Sequence, residues 1–194
     1  ARRDFLRLGL GSTAGLAGMT LLGQAAGAQQ AQETPATNHH NAHGNSMLVG
    51  AVDHVRNGFD PMQILVDWDY GVTSTLPDGR ILREYEIVAV DKEIEIAPGL
   101  FFPAWTYNER VPGPTIRCTE GDQIKIRFIN AGSHPHTMHF HGVHPHEMDG
   151  VPGAGPGEIQ PGQTFTYEFE AEPFGCHHYH CHALPLKRHI HKGL

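Results

Sequence analysis

The sequence has 194 residues, with 14 basic and 21 acidic side chains and a formal net charge of −7 at pH 7. This length suits one domain with a hydrophobic core and a flanking segment, and it excludes two large domains. The acidic balance argues against an extended nucleic-acid surface, so we expect no nucleic-acid partner. Sixteen histidines, ten of them between His134 and His182, indicate metal binding.

Residues 1–28 have the pattern of an export signal. Arg2 and Arg3 precede an apolar stretch over residues 8–22, and small residues lead up to Ala28. We therefore predict a twin-arginine signal peptide that is cleaved after Ala28, and a periplasmic or otherwise exported protein. A membrane anchor is the alternative. Four glycines interrupt the apolar stretch, which favours cleavage and predicts no membrane span in the mature protein.

Two segments separate this signal from the main domain. Residues 29–50 are polar and small, which predicts a disordered linker that contains histidines. A solvated linker is favoured over weak copper collection by His39, His40 and His43, because short histidine tracts bind metals loosely. Residues 51–82 hold short apolar pieces broken by glycine and proline, and we interpret them as an extended arm lying on the domain.

From residue 83 the pattern changes to that of β-strands. Glycine–proline pairs and other turn residues separate segments that alternate between apolar and polar side chains or run apolar. These segments are residues 85–90, 92–96, 101–107, 123–130 and 164–169. The sequence therefore predicts an all-β domain over residues 83–194, with two sheets packed face to face.

Two histidine clusters in this domain carry the chemistry. The first is His-Thr-Met-His-Phe-His-Gly over residues 136–142, and the second is His-Cys-His over residues 180–182, with His189 after it. Side chains alternate faces along a strand, so each cluster divides into two sets. One set, His136, Cys181 and His189, is predicted to face inward as a mononuclear site. The other, His139, His141, His180 and His182, is predicted to face outward as half of a larger cluster.

The inward set has a recognisable donor chemistry. Two imidazoles and one thiolate are typical of an electron-transfer copper site. The remaining histidines of the domain are expected to face solvent or form hydrogen bonds, and Met138 is expected in the core. These histidines are His134, His144, His146, His177, His178 and His191. The sequence leaves two alternatives for Cys118 and Cys176: they form a disulfide with each other, or both are buried free thiols.

Several segments resemble, in chain order, the signature segments of multicopper oxidases. They are residues 111–117, 120–122, 139–142, 149–153 and 179–182, and the resemblance extends from about residue 83 to Leu194. It implies a cupredoxin-like Greek-key β-sandwich (a plastocyanin-like domain). It also implies copper ligands: His136, Cys181 and His189 for type 1, His139 for type 2, and His141, His180 and His182 for type 3.

The resemblance gives Leu194 and Asp149 roles beside the metal. Leu194 takes the axial position of the type 1 site, and leucine cannot coordinate, so we predict a three-coordinate copper with a raised reduction potential. Asp149 matches a family carboxylate near the cluster and is predicted to be a catalytic proton donor. The alternative is a turn aspartate before Gly150, since Asp-Gly commonly marks turns.

The implied activity is that of a copper-dependent, laccase-like oxidoreductase. Electrons from a small reducing substrate enter at the type 1 copper and pass through the His-Cys-His segment to a trinuclear cluster that reduces dioxygen to water. The reducing substrate is not readable from the sequence. Two alternatives remain: an enzyme like copper nitrite reductase, and a non-enzymatic cupredoxin that carries electrons or stores copper.

Two departures from the family pattern bear on these alternatives. Cys181 and His189 are eight residues apart, which is closer to the nitrite reductases, whereas His141 and His182 favour oxygen chemistry. The family's trinuclear cluster takes eight imidazoles in four His-x-His pairs, and this chain supplies two pairs. We therefore expect the N-terminal cupredoxin domain of a two-domain oxidase, truncated at its C-terminal end and inactive alone, with clusters completed by another domain or subunit in a homotrimer.

Overall fold

The computed structural model describes residues 50–194. The predicted signal peptide over residues 1–28 lies outside the described residues, as do the predicted linker up to residue 49 and its three histidines. Within the described part, strands predominate and the helices are short. In chain order the elements are α1 (His54–Asn57), a 3-10 helix (Pro61–Leu65), β1 (Trp68–Asp69), β2 (Val72–Thr75), β3 (Ile81–Ala97), β4 (Leu100–Tyr107), β5 (Thr115–Ile116), β6 (Gln123–Asn130), β7 (His139–Phe140), a 3-10 helix (His146–Met148), β8 (Thr164–Glu170), β9 (Tyr179–His180) and α2 (Leu186–Lys192).

The 17-residue strand β3 organises the main sheet. Along one edge it pairs first with β2 and then with β4, both antiparallel. Along the other edge it pairs in parallel with β6, which pairs antiparallel with β8. The sequence predicts two strands where β3 is continuous. The charged residues Asp91 and Lys92 do not interrupt it, because they pair opposite Trp105 and Ala104 of β4.

The alternation predicted for β6 and β8 places their apolar side chains in the core. Ile124, Ile126 and Phe128 of β6 are at most 1% exposed, and Tyr167 and Phe169 of β8 are buried beside them. Full burial of an aliphatic or aromatic side chain of this size contributes roughly 1.5–3 kcal/mol to stability. The buried side chains of β6 and β8 therefore form the surface of the main sheet against which the other core segments pack.

A second, smaller layer packs against β6 and β8 of the main sheet. Strands β7 and β9 form a two-stranded antiparallel ladder in which His139 lies opposite His180. The ring of Phe140 in β7 lies 5.4 Å from that of Tyr167 and 5.0 Å from that of Phe169. The ladder that carries both histidine clusters is thus fixed against the main sheet by aromatic contacts.

The arm predicted over residues 51–82 differs in the structure. It contains α1, a 3-10 helix and two strands, and β2 pairs with β3 as part of the main sheet. All four residues of β2 are exposed. An exposed edge strand lacks the apolar alternation by which a strand is recognised, and this explains the difference. The start of the segment does lie on the domain, since the buried Asn57 side chain bonds both backbone groups of Glu95.

The remaining features of the fold concern two cysteines and the length of the helices. Cys118 is half-buried, Cys176 is exposed, and both are free thiols in this structure. Among residues 50–194, the helices are all too short and polar to cross a membrane.

Candidate metal centre

Backbone pairing brings the two histidine clusters together. The register of β7 and β9 sets His139 opposite His180 and Phe140 opposite Tyr179. Outside the strands, His136 exchanges two backbone hydrogen bonds with Ile159. Gly142, with a φ of +78°, ends the first cluster in the left-handed region that glycine adopts most easily. The hydrogen bonds of His136 therefore fix the start of the first cluster, and the chain turns away after it at Gly142.

The inward set forms a closed, buried group of three donors. The Nδ1 atoms of His136 and His189 are 3.3 Å apart, and Cys181 Sγ lies 3.8 Å and 3.3 Å from them. None of the three side chains is more than 1% exposed. Sulfur and nitrogen atoms at these separations can all contact one ion at the roughly 2.0–2.3 Å of metal–nitrogen and metal–sulfur bonds.

Burial sets the protonation of this group. It lowers the pKa of His136 to about 4 and lowers that of His189, so both imidazoles are neutral at physiological pH and offer a lone pair. Burial also raises the pKa of the Cys181 thiol. A bound metal must therefore displace the thiol proton, as metal binding to cysteine generally does.

The backbone and hydroxyl of Thr137 support the sulfur. Its N–H donates to Cys181 Sγ at 3.4 Å, and its hydroxyl lies 4.0 Å from the same atom. The hydroxyl also accepts a hydrogen bond from the backbone N–H of His182 at 2.8 Å. Thr137 thus contacts both the inward donor and a histidine of the outward set.

The outward set is more exposed. Ligand atoms of His139, His141 and His180 lie within 4.8 Å of one another, with His141 Nε2 and His180 Nε2 3.0 Å apart. His182 lies outside that group, although its ring centroid is 5.2 Å from that of His139. Its Nδ1 is buried without a hydrogen-bond partner within the described residues.

Neighbouring groups fix which ring nitrogen of each outward histidine is free. His139 Nδ1 donates to Asp149 Oδ1 at 2.7 Å, and His180 Nδ1 donates to the carbonyl of Cys181 at 2.9 Å. In both rings this leaves Nε2 for a metal, which is the usual arrangement around metal-binding histidines. Burial lowers the pKa of both imidazoles, which favours the neutral form.

The Asp-Gly sequence at residues 149–150 has a packing role. A Cβ atom on Gly150 would overlap the backbone of Met138, so a side chain at that position is excluded. Close approach at Gly150 brings the preceding Asp149 next to His139. Met138 itself is fully buried in the core.

The structure places two of the other histidines near the sites. His144 Nε2 lies 4.0 Å from Asp149 Oδ1, and its ring is 5.4 Å from that of His139. The ring of His134 packs at a tilt against that of Trp105, with centroids 4.3 Å apart. The Trp105 ring also lies 5.3 Å from the ring of His136 and 4.7 Å from that of His189, centroid to centroid. Strand periodicity gives no signal for His144, because the chain has left the strand at Gly142.

Leu194 follows His189 by five residues and is buried near the inward set. It is 6% exposed, belongs to the same apolar cluster as Cys181, and its N–H donates to the carbonyl of His189 at 3.2 Å.

The donors present fit copper. Within the described residues, the three inward donor atoms contact one another and no carboxylate. Two neutral imidazoles and a thiolate at one buried point, without an oxygen ligand, are the donor set of mononuclear electron-transfer copper. The outward imidazoles suit copper as well, although imidazole alone does not select it over zinc, iron or nickel.

Comparison with known proteins identifies the family. A family model described as multicopper oxidase matches residues 90–194, more than half of the chain. The chain belongs to the multicopper oxidase family. The chain is similar to a crystal structure of a multicopper oxidase, with 63% sequence identity and a TM-score of 0.72. The match covers 74% of this chain and 50% of the chain in that structure. The cupredoxin-like Greek-key β-sandwich is therefore confirmed.

Curated relatives include both of the enzyme types that the sequence suggests. Laccase-2 of Botryotinia fuckeliana is 36% identical over 131 residues, which is 66% of this chain and 22% of the laccase. A copper-containing nitrite reductase of Neisseria meningitidis is 34% identical over 107 residues, 54% of this chain and 27% of the reductase. The chain thus spans about a quarter of these relatives. Multicopper oxidases are copper-dependent oxidoreductases that use a reducing substrate and dioxygen.

Proposed function

We propose that this chain is the electron-accepting domain of a laccase-like oxidase. The observation that carries the proposal is the position of Cys181 between two donor groups. Its Sγ belongs to the buried inward set, while the preceding residue, His180, belongs to the outward group and the ring of the following residue, His182, lies 5.5 Å from that of His180. Bound copper supplies one-electron redox chemistry at the inward site and four-electron reduction of dioxygen to water at the outward one.

The residues of the chain divide the work. His136, Cys181 and His189 would hold the mononuclear copper, and Leu194, which cannot coordinate, would leave it three-coordinate. His139 would hold the type 2 copper, and His141, His180 and His182 would hold type 3 copper. The backbone of Cys181 is the covalent path from the inward site to His180 and His182. The carbonyl of Cys181 also accepts a hydrogen bond from His180 Nδ1 at 2.9 Å, which adds a second contact along this path.

Asp149 acts at the outward site in this proposal. Its carboxylate accepts from His139 Nδ1 at 2.7 Å and is about one-fifth exposed. This position lets it orient His139 and exchange protons with solvent. We propose it as the proton donor for dioxygen reduction.

Another domain or subunit completes the outward cluster in this proposal. The exposure of His141 leaves the outward histidines accessible to further ligands. We propose a homotrimer in which the cluster lies between subunits, since cyclic symmetry gives every subunit the same incomplete face and the same partner. We further propose that the chain is an N-terminal domain exported by the twin-arginine route to the periplasm or beyond.

Copper content and oxygen uptake of the full-length protein test the oxidase. We expect a mononuclear copper with a visible thiolate charge-transfer band, together with a trinuclear set that has a near-ultraviolet type 3 band. Oxygen uptake with a phenolic donor should accompany both. A single blue copper per chain with no oxygen uptake would contradict the proposal and support an electron carrier or copper store.

The second candidate is a nitrite reductase-like enzyme. Two observations favour it: 34% identity to the nitrite reductase and the eight-residue spacing of Cys181 and His189. Oxidation of a reduced donor that depends on nitrite and not on dioxygen would support this candidate against the oxidase.

A further inference from the structure

His141 is the one exposed side chain among the four outward histidines, and its ring is held differently from the others. The rings of His139 and His180 each donate from Nδ1 to an oxygen acceptor of the protein. Within the described residues, the ring of His141 has a single hydrogen-bonding contact, at 3.0 Å to His180, which is itself a proposed ligand. The backbone contacts of His141 therefore decide where its imidazole lies.

Two neighbouring residues hold both backbone groups of His141. Its N–H donates to the carbonyl of His178 at 2.8 Å, which continues the pairing of β7 and β9 by one residue. Directly opposed residues of this kind in an antiparallel ladder normally exchange two backbone hydrogen bonds. Here the His141 carbonyl instead lies 2.8 Å from Nδ1 of the His177 ring. A side chain thus takes the place of a backbone donor at the end of the ladder.

The same ring reaches a second segment of chain. Nε2 of His177 lies 2.9 Å from the carbonyl of Pro173. Carbonyl oxygens only accept hydrogen bonds, so the ring is the donor at each contact. An imidazolium donates from both nitrogens and a neutral ring from one of them. The bond from Nδ1 to His141 is therefore available to the imidazolium and to one neutral tautomer.

The loop around His177 leaves room for its ring. A Cβ atom on Gly175 would lie 3.1 Å from His177 Nε2, which is closer than side chains normally pack. The loop is also anchored on its other side, where the N–H of Phe174 donates to a carboxylate oxygen of Glu120 at 2.7 Å. His177 is half-buried, unlike the exposed His178 beside it. Its ring is thus fixed between two backbone segments.

We infer that His177 is a positioning residue for His141. Its Nδ1–H holds the His141 carbonyl and thereby keeps the His141 ring 4.7 Å from that of His139, centroid to centroid, and within 3.0 Å of His180 Nε2. The three imidazoles then remain close enough to hold metal together. The hydrogen bond is independent of the proposed function, whereas its effect on copper and dioxygen rests on that function. No electron or proton passes through His177 in this role.

Asparagine and glutamine separate the two hydrogen bonds of His177. The amide nitrogen of His177→Asn is as many bonds from Cα as Nδ1, so this variant retains a donor for His141. The amide nitrogen of His177→Gln corresponds to Nε2 and retains a donor for Pro173. His177→Phe keeps a ring and neither bond. We expect His177→Asn to match the parent protein, and the other two to weaken copper binding on the outward face about tenfold, the upper scale of one lost hydrogen bond.

Competition with a copper chelator in the full-length protein measures this affinity, and the near-ultraviolet type 3 band follows the same copper. The visible band of the inward site reports a folded domain and should be unchanged in all three variants of His177. A loss in His177→Asn as large as in His177→Gln, or no loss in His177→Gln, would overturn the inference. This comparison does not depend on His177→Phe, so it decides the matter even if that variant unfolds.

A matched control and the oxygen uptake separate this inference from the proposed function. His178→Ala removes the neighbouring imidazole and keeps the carbonyl that accepts from His141, so it should bind copper like the parent. Affinities that follow the expected pattern, without oxygen uptake from any donor, would contradict the oxidase and leave the role of His177 supported. Full oxygen uptake with equal affinities in parent, His177→Asn and His177→Gln would contradict that role and leave the oxidase supported. A parent protein without outward copper would contradict both.

Discussion

The two faces of the β7–β9 ladder contrast in how completely one chain can build a metal site. On the inward face, three donors lie within 3.8 Å of one another and are at most 1% exposed. On the outward face, three imidazoles approach one another, while His141 is exposed and His182 stands apart. The inward site is enclosed by its own fold, whereas the outward site is open to solvent at His141.

The buried donors and the exposed donors also differ in the contacts that hold them in place. The inward imidazoles are covered by Trp105, and Thr137 supports the sulfur. The outward histidines depend on single hydrogen bonds, such as that from His139 to Asp149. We therefore expect the inward site to survive changes on the outward face, whereas changes at the inward site should stop the whole reaction.

The largest expected effect is that of Cys181→Ser. A hydroxyl does not replace a thiolate as a copper ligand, so the variant should lose the visible charge-transfer band, one copper per chain and all oxygen uptake. Absorbance spectra and metal analysis of the full-length protein measure this. The exposed thiol gives the control, since Cys176→Ser should keep all three. A visible band that persisted in Cys181→Ser would place the blue copper elsewhere.

The His141→Ala variant tests the independence of the two faces. Its side chain is exposed, so truncation should not unfold the domain, and the imidazole is one of the proposed cluster ligands. We expect loss of oxygen uptake and of the near-ultraviolet band, with the visible band intact. His178→Ala, which removes another exposed imidazole, should change neither. Loss of the visible band in His141→Ala would show that the two sites are not separable.

Two substitutions of Asp149 divide its proposed roles. Asp149→Ala removes the acceptor for His139 Nδ1 and should weaken copper binding on the outward face by about 10- to 100-fold, as loss of such a partner usually does. Asp149→Asn keeps an acceptor oxygen and loses the acid, so copper should stay bound while oxygen uptake slows. Competition with a copper chelator and oxygen-electrode rates measure the two effects. Full activity in Asp149→Asn would remove it as a proton donor.

The strands and the division of the histidines follow from periodicity. The apolar alternation of residues 123–130 places Ile124, Ile126 and Phe128 in the core. The same period of two separates Cys181 from His180 and His182, and it sorts most of the donors into the groups that the structure brings together. Copper ligation by these residues stays a prediction.

Other features depend on contacts that no local pattern encodes. The edge strand β2 is wholly exposed and carries no apolar alternation. His144 reaches Asp149 from a loop, where strand parity does not apply. The layer formed by Trp105, Arg188 and Lys192 joins β4 to α2 across more than 80 residues of sequence, so only the folded chain shows it.

The smallest expected effect concerns the axial position of the enclosed site. Leu194→Met supplies a thioether where leucine cannot coordinate, and a bound axial ligand stabilises the oxidised ion, so the reduction potential of the blue copper should fall. Leucine-to-methionine exchange at a buried position usually costs less than about 1.5 kcal/mol, so the fold should persist. Potentiometric titration of the visible band measures the shift, and Leu184→Met, at a residue that is 63% exposed, is the control. An unchanged potential would mean that the residue at position 194 does not face the copper, and that enclosure by His136, Cys181 and His189 alone sets it.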